Sequence, residues 1–148
     1  MEIKVLKVAE EKEERVVVEC HEVTSQVSAI VRFVKSIQQT ITGEIDECEH
    51  EISIQDIYYI ESVDGKTYIY TKSKVYRARA RLYELEEMLV ESSFLRVSKA
   101  TVLNLLKISA IKPALNGRFS AVLSNGEEVI ISRKYVASFK EKIRGEKV

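Results

Sequence analysis

The sequence predicts a mainly antiparallel β fold with short helices, preceded by a small N-terminal β/α segment, and therefore α+β overall. Three observations carry this. Asp64-Gly65, Asn116-Gly117 and Asn125-Gly126 each separate two apolar or β-branched runs, and such pairs tolerate the positive φ that tight hairpin turns require. Apolar residues at helical spacing are confined to 23–41 and 81–90, with a terminal helical stretch at 135–143. One Pro, five Gly and no low-complexity run leave no flexible linker, so the segments should be closely docked.

In the first fifty residues, Ile3 and Val5 alternate with charge and Val16-Val17-Val18 is a β-branched run, which predicts two short strands around a charged turn at 10–15. Val23, Val27, Ile30, Val31, Val34, Ile37 and Ile41 then recur in steps of three and four, with Thr24 or Ser25 as N-cap, before a return strand. That stripe needs a cover, either the local strands or a partner subunit. From Ile52 onward, Ile54 and Ile57 lead into Tyr58-Tyr59-Ile60-Glu61-Ser62-Val63, and Asp64-Gly65 turns the chain into Thr67-Tyr68-Ile69-Tyr70-Thr71. Leu82, Leu85 and Leu89 share one face of a short helix, with Glu84, Glu86, Glu87 and Glu91 on a solvated face. Between 94 and 106, Ser98 is placed to cap one helical turn running through Val102 and Leu103. Ile108-Ser109-Ala110-Ile111, Phe119-Ser120-Ala121-Val122-Leu123 and Val129-Ile130-Ile131 then form a meander.

The chain has 148 residues, 45% hydrophobic and 31% charged, enough for one core or two small ones. The N-terminus offers no signal-peptide apolar region, and no apolar run approaches the roughly 20 residues that cross a bilayer, so membrane insertion is not expected and the cytoplasm is. Cys20 and Cys48 are too few for a disulfide framework, and their spacing from His21 and His50 does not suit structural zinc. No metal or cofactor is expected. The absence of a Gly-rich phosphate loop, a nucleophile elbow or H-E-x-x-H argues against an enzyme.

The formal net charge is zero, but its distribution is polarised. Residues 1–56 carry 6 Lys/Arg against 13 Asp/Glu, whereas 94–144 carry 10 against 3. From Lys66 to Arg81 there are six basic residues and no acid. Such a chain can meet a polyanion with one part while the other keeps it soluble.

Several blocks occur in a recognisable order. They are Asp56-Ile57-Tyr58-Tyr59-Ile60-Glu61-Ser62, Arg79-x-x-Leu82-x-x-Leu85-Glu86-x-x-Leu89, Phe94-x-Arg96-Val97, Val102-Leu103-Asn104, Asn125-Gly126-Glu127 and Ile131-Ser132-Arg133. Over about ninety residues this series resembles the LytTR family of bacterial DNA-binding domains. The resemblance implies an elongated β fold that binds the major groove of double-stranded DNA through loops and strand ends. It divides the chain into an acidic β/α segment at 1–50, serving dimerisation or packing, and a DNA-binding domain at 51–144.

Carried over position by position, the resemblance implies a first contact at Asp64-Gly65-Lys66, with Lys66 the donor. The second falls on Ser98 and Lys99, where the family commonly has a histidine-containing pair. The third is Ser132-Arg133. Arg presents a planar fork that suits guanine O6 and N7, so Arg133 is expected to read bases, with Lys134, Arg118 and Arg96 as phosphate neighbours. Arg96 and Arg79 can equally be read as salt-bridged scaffold. The expected functional unit is a homodimer on repeated half-sites. The first fifty residues cannot make a receiver domain, so the resemblance to short members implies control by expression level or a membrane-protein partner. The competing reading is a protein-interaction module that uses the helix 23–41.

Overall fold

A computed structural model describes residues 1–146. Its strands form a seven-stranded sheet of order β2-β1-β5-β4-β3-β7-β6 and a three-stranded sheet of order β10-β9-β8, with every pairing antiparallel. The strands are β1 Thr40–Ile45, β2 Cys48–Ser53, β3 Tyr59–Val63, β4 Lys66–Tyr70, β5 Val75–Ala78, β6 Phe94–Ser98, β7 Thr101–Asn104, β8 Ile108–Pro113, β9 Phe119–Leu123 and β10 Glu128–Ile131. The helices are α1 Ser25–Gln38, α2 Leu82–Met88 and α3 Val136–Glu146. The mainly β architecture with short helices agrees with the sequence.

The large sheet is covered on both faces. Successive side chains of a strand point to opposite sides, and Val102 and Leu103 of β7 accordingly enter different cores. One core holds Ile60, Ile69 and Val102 with Leu82, Leu85 and Leu89, the apolar face of α2. The other packs Tyr58, Val97 and Leu103 against Ala121, Leu123 and Ile131 of the small sheet and Phe139 of α3. The short elements close these cores through polar anchors. Asn104 donates to Ile57 O at 2.8 Å, and Lys142 donates to Ser92 O and Phe94 O at 3.1 and 2.8 Å, fixing α3 beneath β6.

The three Gly-containing turns form as expected. Asp64 and Gly65 have φ of 52° and 76°, and Asn116 and Gly117 have 61° and 73°. Three expectations fail. Ile41, expected on the stripe of the helix 23–41, lies in β1 opposite Ile52, because α1 ends at Gln38. Ser98 does not start a helix; its Oγ accepts from Ala100 N–H at 3.3 Å and closes the tight β6–β7 turn, while Val102 and Leu103 lie in a strand. Four consecutive buried residues and a central place in the sheet override the capping signal, because β7 must pair with β3 and β6 at once. The strands expected at 3–8 and 16–18 are also absent: the backbone there has no regular secondary structure and pairs with no strand among the described residues. Alternation at Ile3 and Val5 and the β-branched run 16–18 gave them strand character, but none of the described residues completes a ladder with them.

Thr24 caps α1, its Oγ1 accepting from Val27 N–H at 3.3 Å. β1 and β2 join the large sheet through β5, with Glu44 opposite Arg77. Arg79 reinforces that join, with Nη2 at 2.6 Å from Glu44 and 3.6 Å from Glu49.

Candidate nucleic-acid interface

Three turns converge at one end of the large sheet. The β3–β4 hairpin brings Lys66 opposite Val63, two residues beyond the Glu61–Thr101 pair that joins β3 to β7. Ser62 N–H donates to Ala100 O at 2.8 Å, so the Ser98-Lys99 turn sits beside that hairpin. On its other side, Ser132 N–H donates to Val97 O at 2.8 Å, which brings Ser132-Arg133 against the same turn although 34 residues separate Lys99 from Arg133 in the chain. Lys66, Lys99, Arg133 and Lys134 are exposed there, and Ser98 is half-buried.

Arg133 opens a single helical turn, Arg133–Tyr135, that follows β10. Beside it lies the β8–β9 turn: a Cβ added to Gly117 would stand 3.1 Å from Arg133 Cδ, so the glycine lets backbone and guanidinium stem approach closely. Asn116, Arg118 and Arg133 line a shallow cleft of about 400 Å³. Arg118 is steadied by its Nε donating to Leu115 O at 3.0 Å, a bond that does not use the donors of its two terminal nitrogens. Two guanidiniums on one concave surface, with a lysine on each flanking turn, make an electropositive edge suited to phosphate oxygens and base edges.

The LytTr DNA-binding domain family matches residues 48–144, which is most of the chain and includes all three turns. This chain is a member of the LytTR family. Among solved structures, a LytTr DNA-binding domain from Bacillus cereus superposes with a TM-score of 0.67 at 26% identity, covering 70% of this chain and 95% of that one. The sensory transduction protein LytT of Bacillus anthracis is 32% identical over 100 residues, 68% of this chain but 41% of the relative. The chain thus spans about two fifths of the length of the LytT proteins it matches. A different relative matches end to end: the HTH-type transcriptional regulator SAS2254 of Staphylococcus aureus, 26% identical over 137 residues, 91% of this chain and 92% of the relative.

In this LytTR domain the guanidinium of Arg96 is turned inward. Nη1 pairs with Glu86 at 2.9 Å, Nε donates to Ser98 O at 2.8 Å and Nη2 donates to Lys99 O. Arg96 therefore ties α2 to the backbone of the Ser98-Lys99 turn. Lys134 Nζ lies 5.8 Å from the Tyr135 ring centroid, a contact that restrains the ammonium without neutralising it. Sequence reasoning missed Asn116, which enters the cleft through its left-handed backbone; the Asn-Gly pair announced the turn, but its closeness to Arg133 is a tertiary fact.

Proposed function

We propose that this protein is a sequence-specific transcriptional regulator that reads the major groove with loop and strand-end residues. The observation that carries the reading is the 2.8 Å bond from Ser132 N–H to Val97 O, which draws two of the three turns into one basic edge. Arg133 reads guanine, Lys66 and Lys99 reach bases or backbone, and Arg118 and Lys134 hold phosphates. Arg96 and Ser98 contribute by shaping the turn that presents Lys99. Two copies bind repeated half-sites, since one small module buries limited surface on DNA. The working compartment is the cytoplasm, and its input is expression level or a membrane-protein partner.

Selection of bound sites from a random double-stranded pool, at two salt concentrations, tests the reading. A repeated motif is expected. Arg133→Ala should then lose about 1–3 kcal/mol of discrimination at one base position, while Arg118→Ala should weaken all sequences alike. Normal operator binding by Arg133→Ala in a mobility-shift titration would remove Arg133 from base readout.

A further inference from the structure

Residues 1–20 are not used by any part of the fold described above. They run as two stretches without regular secondary structure, joined by a turn in which Lys12 N–H donates to Ala9 O at 3.0 Å. Among the described residues no strand pairs with them. Their apolar side chains stand in solvent, with Ile3 88% and Val5 89% exposed, and Leu6, Val16 and Val17 exposed as well. An arm of this composition cannot hold such a conformation for its own sake, because lone extended segments gain neither ladder bonds nor buried area.

The surface area shows how much is unfilled. A compact monomer of 16.9 kDa exposes about 7,700 Å², whereas this chain exposes 10492 Å². The surplus greatly exceeds the roughly 800 Å² per partner buried in a stable protein–protein interface.

The same chain carries a matching acceptor. β2 is an end strand of the large sheet and, among the described residues, pairs with β1 alone. Its charged residues are Glu49 and Glu51, and the first stretch of the arm carries Lys4 and Lys7 against Glu2 only. α1, which contacts β2, leaves Val31, Phe33 and Ile37 exposed. Bare edges of this kind invite strand addition, and two identical copies related by a two-fold axis satisfy donor and acceptor reciprocally.

We propose that residues 1–20 add to the β2 edge of a second copy and cover its α1, in exchange for the same contact in return. The protein is then a strand-exchanged dimer in the absence of DNA, and this does not rest on the DNA-binding reading. The 148-residue chain should sediment without DNA at twice 16.9 kDa. Hydrogen exchange should show protected amides at 3–8 and 48–53. The double variant Val5→Asp, Val17→Asp changes two exposed side chains. It should still show a cooperative thermal unfolding transition, lose that protection and raise the dimer dissociation constant on the order of a hundredfold or more. A monomeric wild-type protein, as would be found if a different protein covers the arm, overturns the proposal. So does a dimer whose 3–8 amides exchange at free-chain rates, or a double variant that dimerises like the wild type.

Discussion

Asn104 shows how one polar side chain can lock a junction. It is buried, and its amide nitrogen donates to Ile57 O at 2.8 Å while its Oδ1 accepts from Ser93 Oγ at 2.8 Å and Leu106 N–H at 3.1 Å. Those bonds join the entry to β3, the start of β6 and the exit of β7. Asn104→Leu keeps the branched heavy-atom skeleton but strands a buried carbonyl and a buried hydroxyl, so it should cost about 2–4 kcal/mol in denaturant unfolding. A cost within 0.5 kcal/mol, the range of an ordinary surface change, would show that the junction does not depend on it. Tyr59 works at longer range: it stacks on Tyr70 with centroids 4.3 Å apart and donates to Glu127 at 2.8 Å, linking β3 to the β9–β10 turn. Burial, then the Glu127 bond and its charge, push the Tyr59 phenol well above the ordinary tyrosine range, and burial raises Tyr70 as well. In an absorbance titration these two should ionise after an ordinary tyrosine. Because the folded-state value is raised, the stabilisation is complete below the unfolded tyrosine pKa and is lost as pH climbs through the folded one.

Among the elements, β1 is the seam that joins the N-terminal segment to the sheet. A Cβ at Gly43 would lie 2.8 Å from both Ile52 Cδ1 and Tyr76 Cβ; the isoleucine tip can move, but the tyrosine Cβ is fixed by β5. Gly43→Ala should therefore destabilise by about 1–3 kcal/mol, read as a lowered unfolding midpoint. An unchanged midpoint would mean that β1 and β5 separate freely. The hairpins were legible in sequence because their turn chemistry is local: Asp64-Gly65 and Asn116-Gly117 need left-handed backbone, and few other residue pairs supply it cheaply. β7 was not legible, since burial on both faces erases the alternation that marks a strand and left Ser98 looking like a cap. The arm failed for the opposite reason, since local alternation and β-branching predicted strands for which the described residues supply no partner. At the site, each basic turn could be named from sequence, whereas the inward commitment of Arg96 and the shared cleft of Arg118 and Arg133 depend on contacts between distant segments.

For the whole molecule, charge is segregated along the chain and the fold preserves much of that separation. The acids of residues 10–19 lie on the unpaired arm, while Lys66, Lys99, Arg118, Arg133 and Lys134 lie on turns of the sheet ends. A zero net charge therefore hides a basic edge, and under the proposed function that edge sets DNA affinity by releasing counterions from the phosphates it neutralises. If Lys66, Lys99, Arg118 and Lys134 each neutralise one phosphate, the logarithm of affinity should fall against the logarithm of salt with a slope of about −3.6 per copy. Lys99→Ala should flatten that slope by about 0.9 without changing the preferred sequence, because it removes a phosphate contact and leaves Arg133 in place. Glu11→Gln with Glu13→Gln should leave the slope as it is, since counterion release counts only the cations that meet phosphates. Fluorescence anisotropy across a salt series, on specific and random duplexes, measures all of these. A Lys99→Ala slope equal to wild type would mean that the Ser98-Lys99 turn stands clear of the DNA backbone, and that the basic edge is narrower than its geometry suggests.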